Sequence, residues 1–412
     1  MSAKIHSLLE EAVVSKQFLG LSFIVVNKDG KLTRVDLFTT ITIAYYMTGT
    51  RLYSGAHGDQ DFNHTRPMTL KTGGWVASMS KLMTSVAVMH AIQKDLVGLD
   101  DDLGYILPEL HQKKVLLAFD EVTGAAEFRN HNKAITIRQL LSHSSGFSYA
   151  VFPDNLLARW GRANGRGERW TGDFEKDWDY PLAAQPAEDW IYGTGIDWAG
   201  RVVEKVSGLT LEDYLRTYVW EPLGMADTTF HPDQRESFPV LEMGTRKNGP
   251  NSTMESGSPV YPIPAQNEAG GAGIFTSAED YSKLLHDLLQ DEGKILGSKS
   301  VEEFVKPQLT EASKKALKRQ RDLGLILREV PQSIPVDHSL GGLYTAADVP
   351  GGRAKGSIAW DGMSSSKWLL DRNTGIALVF FVQVLPTDEI ARELWMQLEK
   401  EIYAMVSHSL HE

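Results

Sequence analysis

Val76-Ala77-Ser78-Met79-Ser80-Lys81-Leu82-Met83-Thr84 is the stretch on which the reading of this chain turns. Ser78 and Lys81 stand three residues apart at the opening of a strongly periodic segment, Ser78 to Lys94, whose apolar stripe is Leu82, Met83, Val86, Met89, Ala91 and Ile92. The spacing predicts a helix. Side chains three apart on a helix share a face, with Cβ atoms about 5–6 Å apart. The Lys amine can then take the Ser proton, provided burial or a neighbouring cation lowers its pKa. The helix N-terminus also favours the negative charge that develops as Oγ attacks. Read without chemistry, Ser78 is an ordinary N-cap. The pattern recurs at Ser364–Lys367, in a strand-rich region just after Gly362, where side chains three apart face opposite sides of a sheet. Ser78–Lys81 is therefore the candidate, and Ser364–Lys367 is set aside.

Composition narrows the chemistry around that pair. The 412 residues contain no Cys, which excludes disulfides, thiolate metal sites and a cysteine nucleophile. It also removes any argument for secretion, and a cytoplasmic location is expected. A net charge of −11 leaves no basic patch for a nucleic acid or an anionic membrane. Apolar and charged fractions of 42% and 23% are those of an ordinary globular protein. The length calls for two domains, or one large domain carrying an insertion.

Working outward, residues 1–20 read as an amphipathic helix with Ile5, Leu8, Leu9, Ala12 and Val13 on one face, too charged for a signal peptide. Phe23 to Asn27 reads as a strand, and Lys28-Asp29-Gly30-Lys31 as a turn. Val35 to Arg51 is β-branched, aromatic and nearly uncharged, yet Asp36, the threonines and Arg51 argue against a membrane span. Removing it joins Arg34 to Leu52 and yields a continuous strand. Two readings stand for it: an extra hairpin on a sheet edge, or a short intron translated in error, which sequencing the transcript separates.

Further on, Leu107-Pro108-Glu109-Leu110 looks like a helix end, and helices are expected at 135–143, 195–207, 211–219, 277–290, 299–306 and 389–406. Residues 160–190 and 245–268 read as long loops, of a kind that usually carries function. Strands are expected at Ser357–Asp361, Lys367–Asp371 and Ile376–Val384. Strands at both ends and helices between them imply an α/β (α+β) fold. One domain, residues 1–95 and 270–412, would hold an antiparallel sheet flanked by helices from both termini; residues 96–269 would form an inserted, mainly helical domain.

Other catalytic signatures are missing. There is no G-x-S-x-G elbow, no P-loop, no G-x-G-x-x-G after a strand and no H-E-x-x-H, so no cofactor or metal is expected. His143, at a helix end before Ser144-Ser145-Gly146, reads as a capping or core-edge residue.

The nucleophile segment resembles the active-site helix of the serine β-lactamase and penicillin-binding-protein fold family. Gly98-Leu99-Asp100-Asp101, Ile135 to Gly146, Pro222-Leu223-Gly224-Met225 and Gly270 to Phe275 follow in that family's order. The likeness is greatest to its class C-like esterases and to the fungal transesterases among them. It implies Tyr192, in Trp190-Ile191-Tyr192-Gly193-Thr194-Gly195, as the catalytic Tyr that relays protons beside Lys81. Many members have Asn two residues later, where this chain has Thr194. Trp360-Asp361-Gly362-Met363 falls at the third motif. There Gly362 would let substrate approach the strand edge, and the Met363 N–H would complete an oxyanion hole with that of Ser78. Trp360 and Asp361 in place of a cation argue against penicillins and for a neutral, apolar substrate. Tyr149, Trp190 and Thr194 join Trp360, Asp361 and Gly362 as expected substrate contacts.

Six of the ten Trp, at positions 160, 170, 178, 190, 198 and 220, lie near Tyr192. They either wall an aromatic pocket that excludes water or simply pack the helical region. The resemblance implies an acyltransferase that moves an acyl group from a thioester (of CoA, a small thiol or a carrier protein) through Ser78 to a hydroxyl of a small secondary metabolite. A hydrolase with water as acceptor carries identical motifs. A non-catalytic binding protein would not be expected to keep Ser78, Lys81 and Tyr192 together.

Overall fold

The computed structural model describes residues 2–28, 51–150, 155–167, 169–246, 252–324, 326 and 328–409. Its centre is a seven-stranded sheet, antiparallel throughout. The strands are β1 (Gly20–Asn27), β2 (Arg51–Gly58), β3 (Val336–His338), β4 (Leu343–Thr345), β5 (Ile358–Asp361), β6 (Lys367–Asp371) and β7 (Ile376–Phe381), in the order β2-β1-β7-β6-β5-β4-β3. The turn expected at 28–31 and the Val35–Arg51 stretch fall outside the described residues, save Lys28 and Arg51, with which β2 begins.

The strands are apolar on both faces because both faces are covered. In β1, Leu21, Phe23 and Val25 pack toward helices Ser2–Val14 and Glu389–Ser409. Ile24 and Val26 pack on the other face with helices Ser80–Gln93 and Ala278–Leu289. Period-two alternation thus divides one strand between two cores. Between β2 and β3 the chain is mainly helical, although Lys114–Phe119 and Ala126–Asn130 form a hairpin that the sequence reading passed over.

Local corrections have local causes. The α-helix of the nucleophile segment runs Ser80–Gln93, preceded by a tight turn at Ala77–Met79, because Ala77 adopts a left-handed φ of 47°. Ser78 is therefore not a side-chain cap. Pro108–Leu110 is one turn of tight helix rather than the end of a longer one. The loop at 245–268 contains a short strand pair, Gly244–Thr245 with Glu255–Ser256.

Candidate active site

The turn carrying Ser78 is fixed from several sides. Val76 N–H donates to Ile274 O at 3.1 Å, the Ile274 N–H donates to Ser80 Oγ at 3.0 Å, and Tyr281 OH donates to Met79 O at 3.0 Å. A left-handed alanine costs about 1–2 kcal/mol, and such strain persists only where the surroundings hold it. Here they do, and Ser78 is left facing a cavity of about 490 Å³.

Lys81 follows three residues on and is only 4% exposed. Its ammonium has three N–H groups and three acceptors: Ser78 Oγ at 3.3 Å, Tyr149 Oη at 2.8 Å and Gly271 O at 2.7 Å. Tyr149 OH in turn donates to Asp197 at 3.2 Å, and Asp197 accepts the Gly271 N–H at 2.8 Å. Burial raises the Asp197 carboxyl to about 6, against the pull of the Lys81 cation. Burial, reinforced by Asp197, lifts the Tyr149 phenol well above its ordinary range. Gly271 is required here, since a Cβ would lie 2.4 Å from Asp197 Oδ2.

Tyr192 reaches Ser78 from the other side, its OH donating to Oγ at 2.5 Å. Lys81 Nζ lies 4.8 Å from the centre of the Tyr192 ring, and Trp360 Nε1–H donates to Tyr192 Oη at 3.3 Å. The Tyr-Gly-Thr-Gly sequence has a packing cause. A Cβ on Gly193 would lie 2.3 Å from Phe147 O, and one on Gly195 2.6 Å from Leu140 O, so this backbone runs directly against residues 140–148.

Trp360, Asp361 and Met363 all border the cavity, as do Tyr149 and Trp170. Gly362 does not, and its role is corrected. A Cβ there would lie 2.4 Å from Val76 O, so the glycine admits the backbone of the nucleophile turn rather than substrate. Asp361, its side chain 47% exposed, is bound by Lys367 Nζ at 3.1 Å, and Glu329 holds the same amine at 2.7 Å. Burial works against the Lys367 charge, but Asp361 and Glu329 outweigh it and leave the pKa raised. Lys367, set aside as half of a second Ser-x-x-Lys pair, is thus a structural cation.

Two expected substrate contacts are elsewhere. Thr194 is buried at the start of helix Gly195–Ser207, its hydroxyl donating to Trp178 O at 3.4 Å, and Trp190 is 1% exposed against His143 and His338. Neither borders the cavity. Trp178, Trp198 and Trp220 are likewise buried, and Trp160 packs against Tyr180, so most of the tryptophan-rich stretch is core and Trp170 alone of the six walls the cavity. The cavity is aromatic near Ser78, and Trp368 and Trp395 line it as well. Its other end is lined by Arg328, Glu329, Arg353, Asp388, Glu389 and Arg392, charged groups that the expectation of a neutral, apolar substrate did not include.

Asp197 and His143 are the members that the sequence reading missed as site residues. The signal for Asp197 was its place in the first turn of the helix that follows Tyr192. His143 had no comparable signal, because its packing on Tyr192 depends on tertiary contacts.

Known proteins resemble this chain over most of its length. The chain is 31% identical to a lovastatin esterase of Penicillium rubens over 370 residues, 86% of this chain and 92% of that protein. It is 31% identical to a monacolin J acid methylbutanoyltransferase of Aspergillus terreus over 351 residues, 83% of this chain and 84% of the relative. A variant of simvastatin synthase from the same fungus superposes with a TM-score of 0.85 at 30% identity, over 98% of this chain and 95% of that one. Since the profile described as Beta-lactamase also matches residues 7–401, nearly the whole chain, this protein belongs to the beta-lactamase family.

Proposed function

We propose that this protein is a serine acyltransferase, a transesterase that moves an acyl group from a thioester through an acyl-Ser78 intermediate to the hydroxyl of a small secondary metabolite. The observation that carries the reading is the convergence of Tyr192 Oη at 2.5 Å and Lys81 Nζ at 3.3 Å on Ser78 Oγ at the cavity wall. The relative named as a methylbutanoyltransferase adds support.

In the reactive form Tyr192 is a phenolate, with the Trp360 N–H on its Oη and the Lys81 ammonium 4.8 Å from its ring centre. Ser78 Oγ attacks the thioester carbonyl carbon as its proton passes to Tyr192 Oη. The oxyanion is held by the backbone N–H groups of Ser78 and Met363. Collapse expels the thiolate, which takes the proton from Tyr192 and leaves as a thiol. The acceptor hydroxyl then gives its proton to Tyr192 and attacks the acyl carbon, and Tyr192 returns that proton to Ser78 Oγ. Lys81 takes no proton in this scheme and keeps its contacts with Ser78, Tyr149 and Gly271. No helix among the described residues is long and apolar enough to cross a membrane; a cytoplasmic location belongs to this reading.

Hydrolysis is the second reading, favoured by the lovastatin esterase relative. One experiment separates them. The protein is incubated with the butyryl thioester of N-acetylcysteamine, with and without alcohols, and the mass of the Ser78 peptide is followed. Transfer predicts a butyryl adduct that alcohols discharge faster than water. Discharge by water alone assigns a hydrolase. An adduct that persists in Ser78→Ala, or no adduct in the unaltered protein, overturns both readings.

A further inference from the structure

His143 takes no direct part in the proton transfers and does not border the cavity, yet it meets the Tyr192 segment at three points. Its carbonyl accepts the Ile191 N–H at 2.9 Å. Its Nδ1 faces the Gly193 N–H at 3.5 Å, the outer limit of a hydrogen bond. Between these, the imidazole meets the Tyr192 ring edge-on, with centroids 4.8 Å apart at 60°. The other side of the imidazole is equally occupied. Trp360 is stacked at 26° with centroids 6.2 Å apart, His338 stands at 5.3 Å and Trp190 at 6.0 Å. Trp360 is also the residue whose indole N–H donates to Tyr192 Oη.

His143 holds this place with a left-handed backbone, φ 57°, a conformation in which glycine or asparagine would be less strained. It is 2% exposed. The titratable groups around it are Lys81, Tyr192 and His338, none of them a carboxylate. Burial, then His338 and Lys81, hold its pKa well below the ordinary value, so the ring is neutral and leaves Nδ1 free to accept.

We infer that His143 is the positioning residue for Tyr192: it fixes the backbone on both sides of the Tyr and wedges the ring between Trp360 and Lys81, which sets the Oη–Oγ distance. This rests on Tyr192 being the base. Loss of the wedge therefore costs turnover rather than affinity, because a displacement of about 1 Å at a reacting atom costs on the order of 100-fold.

The test is a double-mutant cycle with Tyr192→Phe, read as thioester-to-alcohol transfer. His143→Ala lowers kcat about 30- to 100-fold and leaves KM within about 3-fold, and His143→Phe, which keeps the ring and lacks Nδ1, loses about 3- to 10-fold. In a Tyr192→Phe background the same substitutions change the residual rate by less than about 2-fold, because the group they position is gone. Equal losses in both backgrounds overturn the inference, as does an unchanged kcat in His143→Ala. Should His143→Ala fail to fold, His143→Phe and His143→Gln complete the cycle. A Tyr192→Phe protein with full activity refutes Tyr192 as the base instead, and the inference falls with it.

Discussion

At the scale of single residues, the site is a matter of counting protons and charges. Lys81 places one positive charge among phenols and a carbonyl, and Asp197 supplies the nearest buried negative charge without touching the amine. With its pKa near 6, Asp197 is ionised at neutral pH and protonated below that value. Transfer activity therefore falls on the acid side with an apparent pKa near 6, and Asp197→Asn removes that limb; a limb that persists in the variant excludes Asp197 as its source. Stability follows the opposite sign. Between the unfolded value of about 4 and 6, the folded state binds more protons than the unfolded one, so this group costs stability as pH rises through that window. Relative to wild type, Asp197→Asn gains on the order of 3 kcal/mol between pH 4 and pH 7 in denaturant titrations. The buried His338, lowered to about 4, acts in the other direction in both proteins and cancels from the comparison. Tyr192→Phe lowers kcat by about 10² to 10⁴, the range for a lost acid–base group, and Lys81→Met by about 10² to 10³, the range for a lost electrostatic stabiliser, as steady-state transfer kinetics will show.

Elements set where these residues meet. The β5–β6 hairpin docks on the nucleophile turn through Gly362, with Val76 O in the space that a Cβ would take. Gly362→Ala pushes Met363 and Ser78 apart, and kcat falls by about 100-fold while the Ser78 to Lys81 geometry, local to the tight turn and the first turn of the helix, survives. A crystal structure of the variant with an unmoved hairpin and full activity would contradict this. Elements also show what could be read in the sequence. The helix after Ser78 and the strands β5 to β7 were legible because each is a local, largely buried apolar run. Met363 was placed by resemblance, whereas the contact that makes Gly362 necessary joins remote segments and leaves no local pattern. Thr194 and Trp190 misled for a related reason: adjacency to Tyr192 in sequence does not put a side chain in the same wall, since the chain turns there into a helix. The Lys114–Phe119 hairpin was missed because one of its strands is wholly exposed and carries no apolar alternation.

For the whole molecule, the sheet depends on its two covering layers. Arg353, at the cavity's far end, is almost fully buried and pairs with Glu399 at 2.6 Å, tying the loop before β5 to helix Glu389–Ser409. Breaking such a pair from one side costs about 3–5 kcal/mol. Glu399→Ala is expected to lose that much in urea unfolding, while turnover well below the midpoint stays within a few-fold; a loss under 1 kcal/mol would show the pair to be dispensable. The antiparallel sheet and its flanking helices were legible from strands placed at both ends of the chain. The charged end of the cavity was not, because its residues come from three distant segments that each read as ordinary surface.

The contact between Val76 and Gly362 also bears on how such a site can diversify. It makes one side of the catalytic groove a fixed jaw, where any added atom dislodges chemistry. Gly324, Ile326 and Arg328 line the same cavity and supply no reacting group. Selection for a new acyl chain or acceptor would be recorded there first, and libraries aimed at altered specificity belong there too.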